Sequence, residues 1–368
     1  MSIPGINKAL ACFLSIILPQ LLIAQKINLL DLQEKIEFER IEERPFIPLT
    51  NGTFFSVLAA NPAVTEFKGL LYFVFRGQDE KGHDQIGMWT TPAQGADGIK
   101  WEIHYPYPVI PVSIDSMAPD NNHILDPGLL VMRDSLFVYY TGKSTHSDPE
   151  YSICLSVMGE NNTFEKSQYN PIIRGAIAPE VILFNGLIYI FYQRLNPGGF
   201  WEVFVSESSD GVNFNVENER KVFGPSGIDG TFDSYSIATV RIFREGDYFY
   251  MTYAACSKYI DYPESIGLAR SPDLLEWERY QGNPIFTRGD AGSWDEGAVW
   301  FPTVRKFGDS YVMWYEGAGT GLGTGGRKAR KASRLARDHN YGGYLSTSFS
   351  QIGIAIFEGN IIKMFDKD

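Results

Sequence analysis

One pattern recurs five times along the 368-residue chain, and it restricts the fold more than any other feature. A Pro or small residue opens an apolar run, a tight turn follows, and an aromatic-rich run closes the unit. Four copies read AANPAVTEFKGLLYFVF (59–75), ILDPGLLVMRDSLFVYY (124–140), AIAPEVILFNGLIYIFY (176–192) and VWFPTVRKFGDSYVMWY (299–315). In each, Pro stands 13 residues before the closing aromatic: Pro62/Phe75, Pro127/Tyr140, Pro179/Tyr192 and Pro302/Tyr315. Another copy, SIATVRIFREGDYFYMTY (236–253), has no Pro and reads as one residue longer near its turn. Self-similarity at a fixed period is the mark of a repeat architecture.

Each copy reads as two antiparallel strands. Their turns carry Lys68-Gly69, Arg133-Asp134, Asn185-Gly186, Glu245-Gly246 and Gly308-Asp309, the residue types that hairpin turns require. A third strand follows in QIGMWTT, YSICLSV, WEVFVSE, SIGLARS and QIGIAIF. A fourth is marked by an aromatic and then a Pro-apolar pair, as in Trp101 with Pro108-Val109 and Trp277 with Pro284-Ile285. Four antiparallel strands in each of five units predict an all-β fold, a five-bladed β-propeller. The fifth unit has no clear fourth strand after QIGIAIF. FERIEERPFI (38–47) matches WERYQGNPIF (277–286), so the N-terminal strand is expected to close the ring, with IIKMF (361–365) as the alternative. The expected blades are 52–115, 116–174, 175–228, 229–290 and 291–368 plus 36–48, in one domain over 25–368.

The formal net charge of −12 argues against nucleic acid and anionic membranes as partners, both of which need a basic footprint. Residues 1–24 read as a signal peptide: Lys8 precedes an apolar run from Ala9 to Ala24, broken by Pro19. A secreted or periplasmic protein is therefore expected, with an uncleaved anchor as the alternative. Cys12 falls in that leader. Cys154 and Cys256 fall in non-adjacent blades, so they read as small buried hydrophobes and not as a disulfide. No metal-ligand spacing is present, no cofactor is implied, and a structural calcium ion in the channel is not indicated.

In a propeller the innermost strands begin around a central channel, and polar residues at those starts share one pocket. These positions carry Asn61, Asp126, Glu180 and Asp233, and blade five adds Asp295, Glu296 and Trp300. Glu180 lies two residues further along the frame than Asp126, so the period of two would keep it on the same strand face. Carboxylates converging from different blades suit glycosidic cleavage, which needs a proton donor and a base or nucleophile. The bland alternatives are that Asp126 caps an Asp-Pro turn and that Glu180 pairs with an arginine. Phe232-Asp233-Ser234 and Trp294-Asp295-Glu296 look like one repeated element, which favours a structural role for the two Asp and leaves Glu296 distinctive. Arg76, Lys143 and Arg194 open loops on the pocket rim, and His123 and Glu316 complete the substrate-binding set, with Trp300 as a sugar platform. The segment 317–344 carries a basic run, Arg327, Lys328, Arg330, Lys331, Arg334 and Arg337. It reads either as a solvated helix or as a lid for an anionic glycan.

The repeat and the stretches LDPGLLVMRDSLFVYYTG and SWDEGAVWFPTVRKFGDSYVMWYEG resemble the five-bladed arabinanase/levansucrase/invertase superfamily, which includes glycoside hydrolase families 43, 32, 68, 117 and 130. The resemblance implies an Asp base or nucleophile in blade one, a geometry-holding Asp in blade two and a Glu acid in blade three. Asp126 matches the second. Glu180 matches the third with an offset, Ala178 standing at the aligned place. Asn61 stands where the blade-one Asp is expected. The expected function is a secreted glycoside hydrolase with Glu180 as proton donor, Asp126 as its neighbour, and Glu296 ahead of Asp233 as base. A non-catalytic sugar-binding propeller and a phosphorylase of the family-130 kind are the alternatives.

Overall fold

The structure is a computed structural model that describes residues 35–146, 149–160, 163–258, 260–319 and 350–366. Five antiparallel sheets are present. Blade one is Leu58–Phe67, Leu70–Gln78, Asp84–Pro92 and Ile103–His104. Blade two begins with His123–Met132, Ser135–Lys143 and Tyr151–Met158, and its outer strand is split into Phe164–Lys166 and Ile173–Arg174. Blade three is Ile177–Phe184, Leu187–Leu195, Trp201–Ser208 and Arg220–Phe223. Blade four is Ser236–Glu245, Tyr248–Cys256 and Ser265–Ser271, again with a split outer strand, Glu278–Arg279 and Phe286–Thr287.

Blade five takes Ala298–Phe307, Ser310–Ala318 and Gln351–Glu358 from the end of the chain, and Glu39–Arg40 from its start. Glu39 faces Ile356 and Arg40 faces Ala355, so the N-terminal strand covers the last edge of the ring. IIKMF is instead a short helix, α1 (Ile361–Phe365), capped by the Asn360 side chain. Its Ile361, Met364 and Phe365 share a core with Ile36 and Phe38, so both chain ends seal the same seam.

The inner strands explain why the repeat carries its Pro. A proline has no N–H for the ladder and is tolerated inside a sheet only at an edge or a bulge. Each inner strand of blades one, two, three and five has a one-residue register shift at that place. The residue just before the Pro is left-handed: Asn61 (φ 50), Asp126 (φ 54), Ala178 (φ 53) and Phe301 (φ 49). Asn and Asp tolerate this conformation, whereas Ala and Phe hold it at a cost of about 1–2 kcal/mol, so the surroundings must enforce it.

Blade four, without the Pro, has its shift between Ile237 and Thr239. The extra residue expected near its turn is not there. Glu245 pairs with Tyr248 across a two-residue turn, and Ile237 faces Ala255 as Ala59 faces Gly77. The copy starts one residue later than its sequence suggests, and Thr239 occupies the place of Asn61.

A second repeated device ties strand two to the outer strands. Tyr140, Tyr192, Tyr253 and Tyr315, the closing aromatics, donate their hydroxyls to Asp120, Glu219, Asp233 and Asp295. Each carboxylate also meets a cation: Lys166, Arg194, Arg279 or Arg40. Phe75 has no hydroxyl, so blade one lacks this clasp. Cys154 and Cys256 are buried free thiols, both pushed up by burial, which makes them inert packing groups.

Candidate active site

A cavity of about 430 Å³ opens at the centre of the ring. That is within the size range of small-ligand sites. Nine of its lining residues come from two positions of the repeat. The first is the bulge residue before the Pro, which supplies Asn61, Asp126, Ala178 and Phe301, with Thr239 in blade four. The second is the residue after the closing aromatic, which supplies Arg76, Thr141, Gln193 and Glu316. These two positions lie side by side, because Arg76, Thr141, Gln193 and Glu316 pair with the residues that precede the bulges.

The bulges expose backbone N–H groups that the ladder cannot satisfy, and a neighbouring blade satisfies each one. Asn61 N donates to Glu316 Oε2 (3.2 Å), Asp126 N to Asn61 Oδ1 (3.3 Å), Ala178 N to Thr141 Oγ1 (2.9 Å) and Phe301 N to Thr239 Oγ1 (2.9 Å). The channel-facing side chains are thereby fixed from blade to blade. Asn61 also donates its Nδ2 to Glu316 Oε2 at 2.6 Å.

The lining has two characters. One side, from blades one, two and five, holds Asn61, Arg76, Asp84, His123, Asp126, Lys143 and Glu316. Asp84 lies between Arg76 Nε (2.8 Å) and His123 Nδ1 (2.7 Å). Burial disfavours the Asp84 charge, but Arg76 and His123 outweigh it and hold the carboxyl below its ordinary range. The other side holds Ile177, Ala178, Trp201, Ala238, Trp300 and Phe301. There Trp300 Nε1 donates to Asp261 at 2.6 Å, and Tyr262 N donates to the same carboxylate at 2.9 Å.

Three lining carboxyls are displaced upward. Burial raises Asp126 against the pull of Arg76 and the Thr141 hydroxyl. Burial raises Asp261 against its two hydrogen bonds. Burial pushes Glu316 up to about 7, with Asp126 adding to the rise and Arg76 opposing it. A carboxyl that can hold a proton near neutrality in a cleft, as Glu316 can, is the kind of group acid catalysis uses. Among the described residues no cluster of three or more His, Cys, Asp or Glu is arranged to hold a metal ion.

Of the residues expected from sequence, Asn61, Arg76, His123, Asp126, Lys143, Trp300 and Glu316 all line this one cavity. Glu180 does not. Its Oε2 meets Arg241 Nη1 at 3.2 Å and its Oε1 accepts from Ile242 N at 3.0 Å, so it is committed to the wall between blades three and four. The bulge at Ala178-Pro179 breaks the alternation on which its placement rested, and Glu180 falls in the register of Ala63, Gly128 and Thr303.

Asp233 and Asp295 are the buried carboxylates of the tyrosine clasps and line no part of the cavity. Glu296 accepts from Gly292 N at 2.5 Å within its own loop, also off the lining. Arg194 donates to the carbonyls of Arg174 and Gly175 and pairs with Glu219. It sits one residue beyond the lining position of Gln193, on the opposite strand face. Arg327 and its basic run lie outside the described residues. Trp201, which the sequence offers as an aromatic that could stack on a sugar, also lines the cavity, whereas Asp84, Thr141, Gln193 and Asp261 are lining residues that the sequence did not single out. The first residue after each closing aromatic would have found Thr141 and Gln193, while the two Asp come from loop-proximal positions without a repeat signal.

No protein-family model matches the chain, and no curated protein matches it. Solved structures do. A glycosyl hydrolase from Bacteroides ovatus is 17% identical over 88% of this chain and 94% of its own, with a TM-score of 0.61. A β-1,2-mannobiose phosphorylase from Listeria innocua is 13% identical over 90% of this chain and 99% of its own, at 0.61. The fold is a five-bladed propeller, shared with these solved structures. An N-acetylgalactosamine deacetylase from F. plautii also matches, at 12% identity, 90% and 97% coverage and 0.61, so the propeller accommodates more than one chemistry.

Proposed function

We propose that this propeller cleaves glycosidic bonds in its central cavity, with Glu316 as proton donor and Asp126 as the second carboxyl. One observation carries this: two buried carboxyls displaced upward, from blades five and two, line the same sugar-sized cavity around Arg76. A carboxyl titrating near 7 is half protonated at neutral pH and can give its proton to a leaving oxygen. Trp201 and Trp300 belong to the apolar side of the lining, and tryptophan is the residue type against which the C–H face of a sugar ring packs.

Asn61 no longer argues for a binder alone. The carboxylate missing from blade one is supplied 2.6 Å away by Glu316. The role expected for Glu180 passes to a group that lines the cavity. The leader at 1–24 supports secretion as part of this reading.

A phosphorylase is the second reading. It is favoured by Arg76, His123 and Lys143 in the lining, which suit an anion, and by the fold shared with the Listeria innocua enzyme. The test is turnover of an oligosaccharide panel with and without inorganic phosphate by the wild type, Glu316→Gln, Asp126→Asn and Glu180→Gln. Glu316→Gln is expected to lose about 10²–10⁴-fold on unactivated substrates, the usual worth of general acid catalysis. Full activity of Glu316→Gln would overturn the assignment, and binding without turnover by the wild type would leave a sugar-binding propeller.

A further inference from the structure

Asn61 touches two of the three carboxyl-bearing strands of the polar side. Its Nδ2 donates to Glu316 Oε2 at 2.6 Å, and its Oδ1 accepts from Asp126 N at 3.3 Å. Its own backbone N–H reaches the same Glu316 oxygen at 3.2 Å. The residue is buried, left-handed at φ 50, and locked in place by the bulge before Pro62. The charged groups that face Glu316 from the neighbouring blades are Arg76 and Asp126. An amide is the one group of this size that donates to a carboxylate and accepts from a backbone N–H at the same time. A carboxylate at 61 could accept from Asp126 N, but it would confront Glu316 with a like charge at hydrogen-bonding distance.

We infer that Asn61 is a positioning residue, matched to Glu316, that keeps the acid of the blade-one/blade-five seam a single carboxyl with one oxygen pinned. The inference rests on the proposed role of Glu316, but its geometric content is independent of any substrate. With Oε2 held by two donors from Asn61, the proton of Glu316 is directed to Oε1. Burial of Glu316 raises the pH at which that proton is lost. The pair is also reciprocal. An Asp at position 61 facing a Gln at position 316 would keep the side-chain contact with donor and acceptor exchanged, at the loss of the residue-61 N–H contact, and would move the carboxyl across the seam.

The experiment is a ¹³C titration of Glu- and Asp-carboxyl-labelled protein, with the Glu316 resonance assigned by its loss in Glu316→Gln. It compares the wild type, Asn61→Ala, Asn61→Asp and the double variant Asn61→Asp/Glu316→Gln, each checked for folding by circular dichroism. The wild type is expected to show one step for Glu316. Asn61→Ala removes a donor to the charged form, so its step moves to higher pH. Asn61→Asp creates a dyad that shares a proton and titrates in two steps separated by about 3 pH units. The double variant returns to a single step, now belonging to the carboxyl introduced at position 61. A Glu316 step that stays at its wild-type pH in both Asn61→Ala and Asn61→Asp overturns the inference, whatever the activity. The converse is separable: titrations as expected in a protein that turns over no glycoside uphold the positioning role and sink the proposed function. Turnover, where present, should follow the same order in its pH profile, which a merely structural asparagine would not move.

Discussion

Replacing Glu180 by Gln separates the roles of Glu180, on the inner strand of blade three, and Glu316, on the second strand of blade five. Glu180 and Arg241 are both buried, and Arg241 also donates to the carbonyls of Pro179 (3.2 Å) and Pro127 (2.9 Å), which knits blades two, three and four together. In Glu180→Gln the new side-chain carbonyl would still accept from Ile242 N, but the amide NH₂ would face the guanidinium. The Arg241 charge would then be left buried without its ion-pair partner, with only the Asp126 carboxyl acting on it from further off. Removing one partner of such a pair costs about 3–5 kcal/mol. At roughly 2 °C per kcal/mol for a chain of this size, Tm should fall by about 6–10 °C.

Burial raises Glu180 against Arg241 and lowers Arg241 against Glu180 and Asp126, so each ion is held at a desolvation cost. Glu180→Met with Arg241→Met should therefore cost clearly less than the two single changes added together. The assays are thermal and urea unfolding at fixed pH, read beside turnover. A Glu180→Gln protein with unchanged Tm and abolished activity would refute the reasoning and return Glu180 to the chemistry.

Glu316 predicts a pH slope of the opposite origin. Its folded value of about 7 lies above the ordinary 4.5, so the native state holds the proton more tightly. That stability is complete below about 4.5 and is lost as pH rises through 7, in total about 3 kcal/mol for the gap between those two values. Glu316→Gln should match the wild type at pH 4 and exceed it at pH 8 in urea unfolding; parallel curves would contradict this. Deleting residues 35–48 removes Glu39–Arg40 and the buried Ile36, Phe38 and Ile47, and should give aggregation on size exclusion, whereas a soluble, cooperatively folding truncation would contradict the closure. Tyr315→Phe should cost about 1 kcal/mol in unfolding, the worth of one buried hydrogen bond, because Asp295 keeps Arg40; an unchanged midpoint would show that the clasp adds nothing.

The architecture is legible because repeats are redundant. Five turns, four prolines and five closing aromatics each report the same unit, so errors in one copy are outvoted. Asn61 and Asp126 are legible for the same reason, since they hold the frame position before the Pro. Glu180 is misplaced by simple alternation because a bulge inserts one residue and reverses the strand faces beyond it, and no local sequence signal distinguishes a Pro in a bulge from a Pro at a strand start. Asp233 and Asp295 invite a functional reading, although their recurrence already points to the clasp with a tyrosine hydroxyl. Glu316 falls in the right cavity, but its reason is hidden in the sequence. That reason is its register beside Trp300, which becomes visible only when strand two is aligned on the closing aromatics. Asp261 approaches Trp300 from a loop outside the repeat, and periodicity is silent about such residues.

The seam of blade five also sets an order of events in time. Arg40 meets Asp295 across 255 residues of intervening chain, and the strand that carries it has no partner until the third strand of blade five exists. Four blades can therefore assemble one after another as they are made, each with mostly local pairings, while the first strand remains unemployed. Ring closure is then a single late step of high contact order, slow to form because a long loop must close and slow to reverse because two cores bury it. A propeller built this way keeps its shape less by the strength of any one blade than by the rarity of the moment when its last strand lets go.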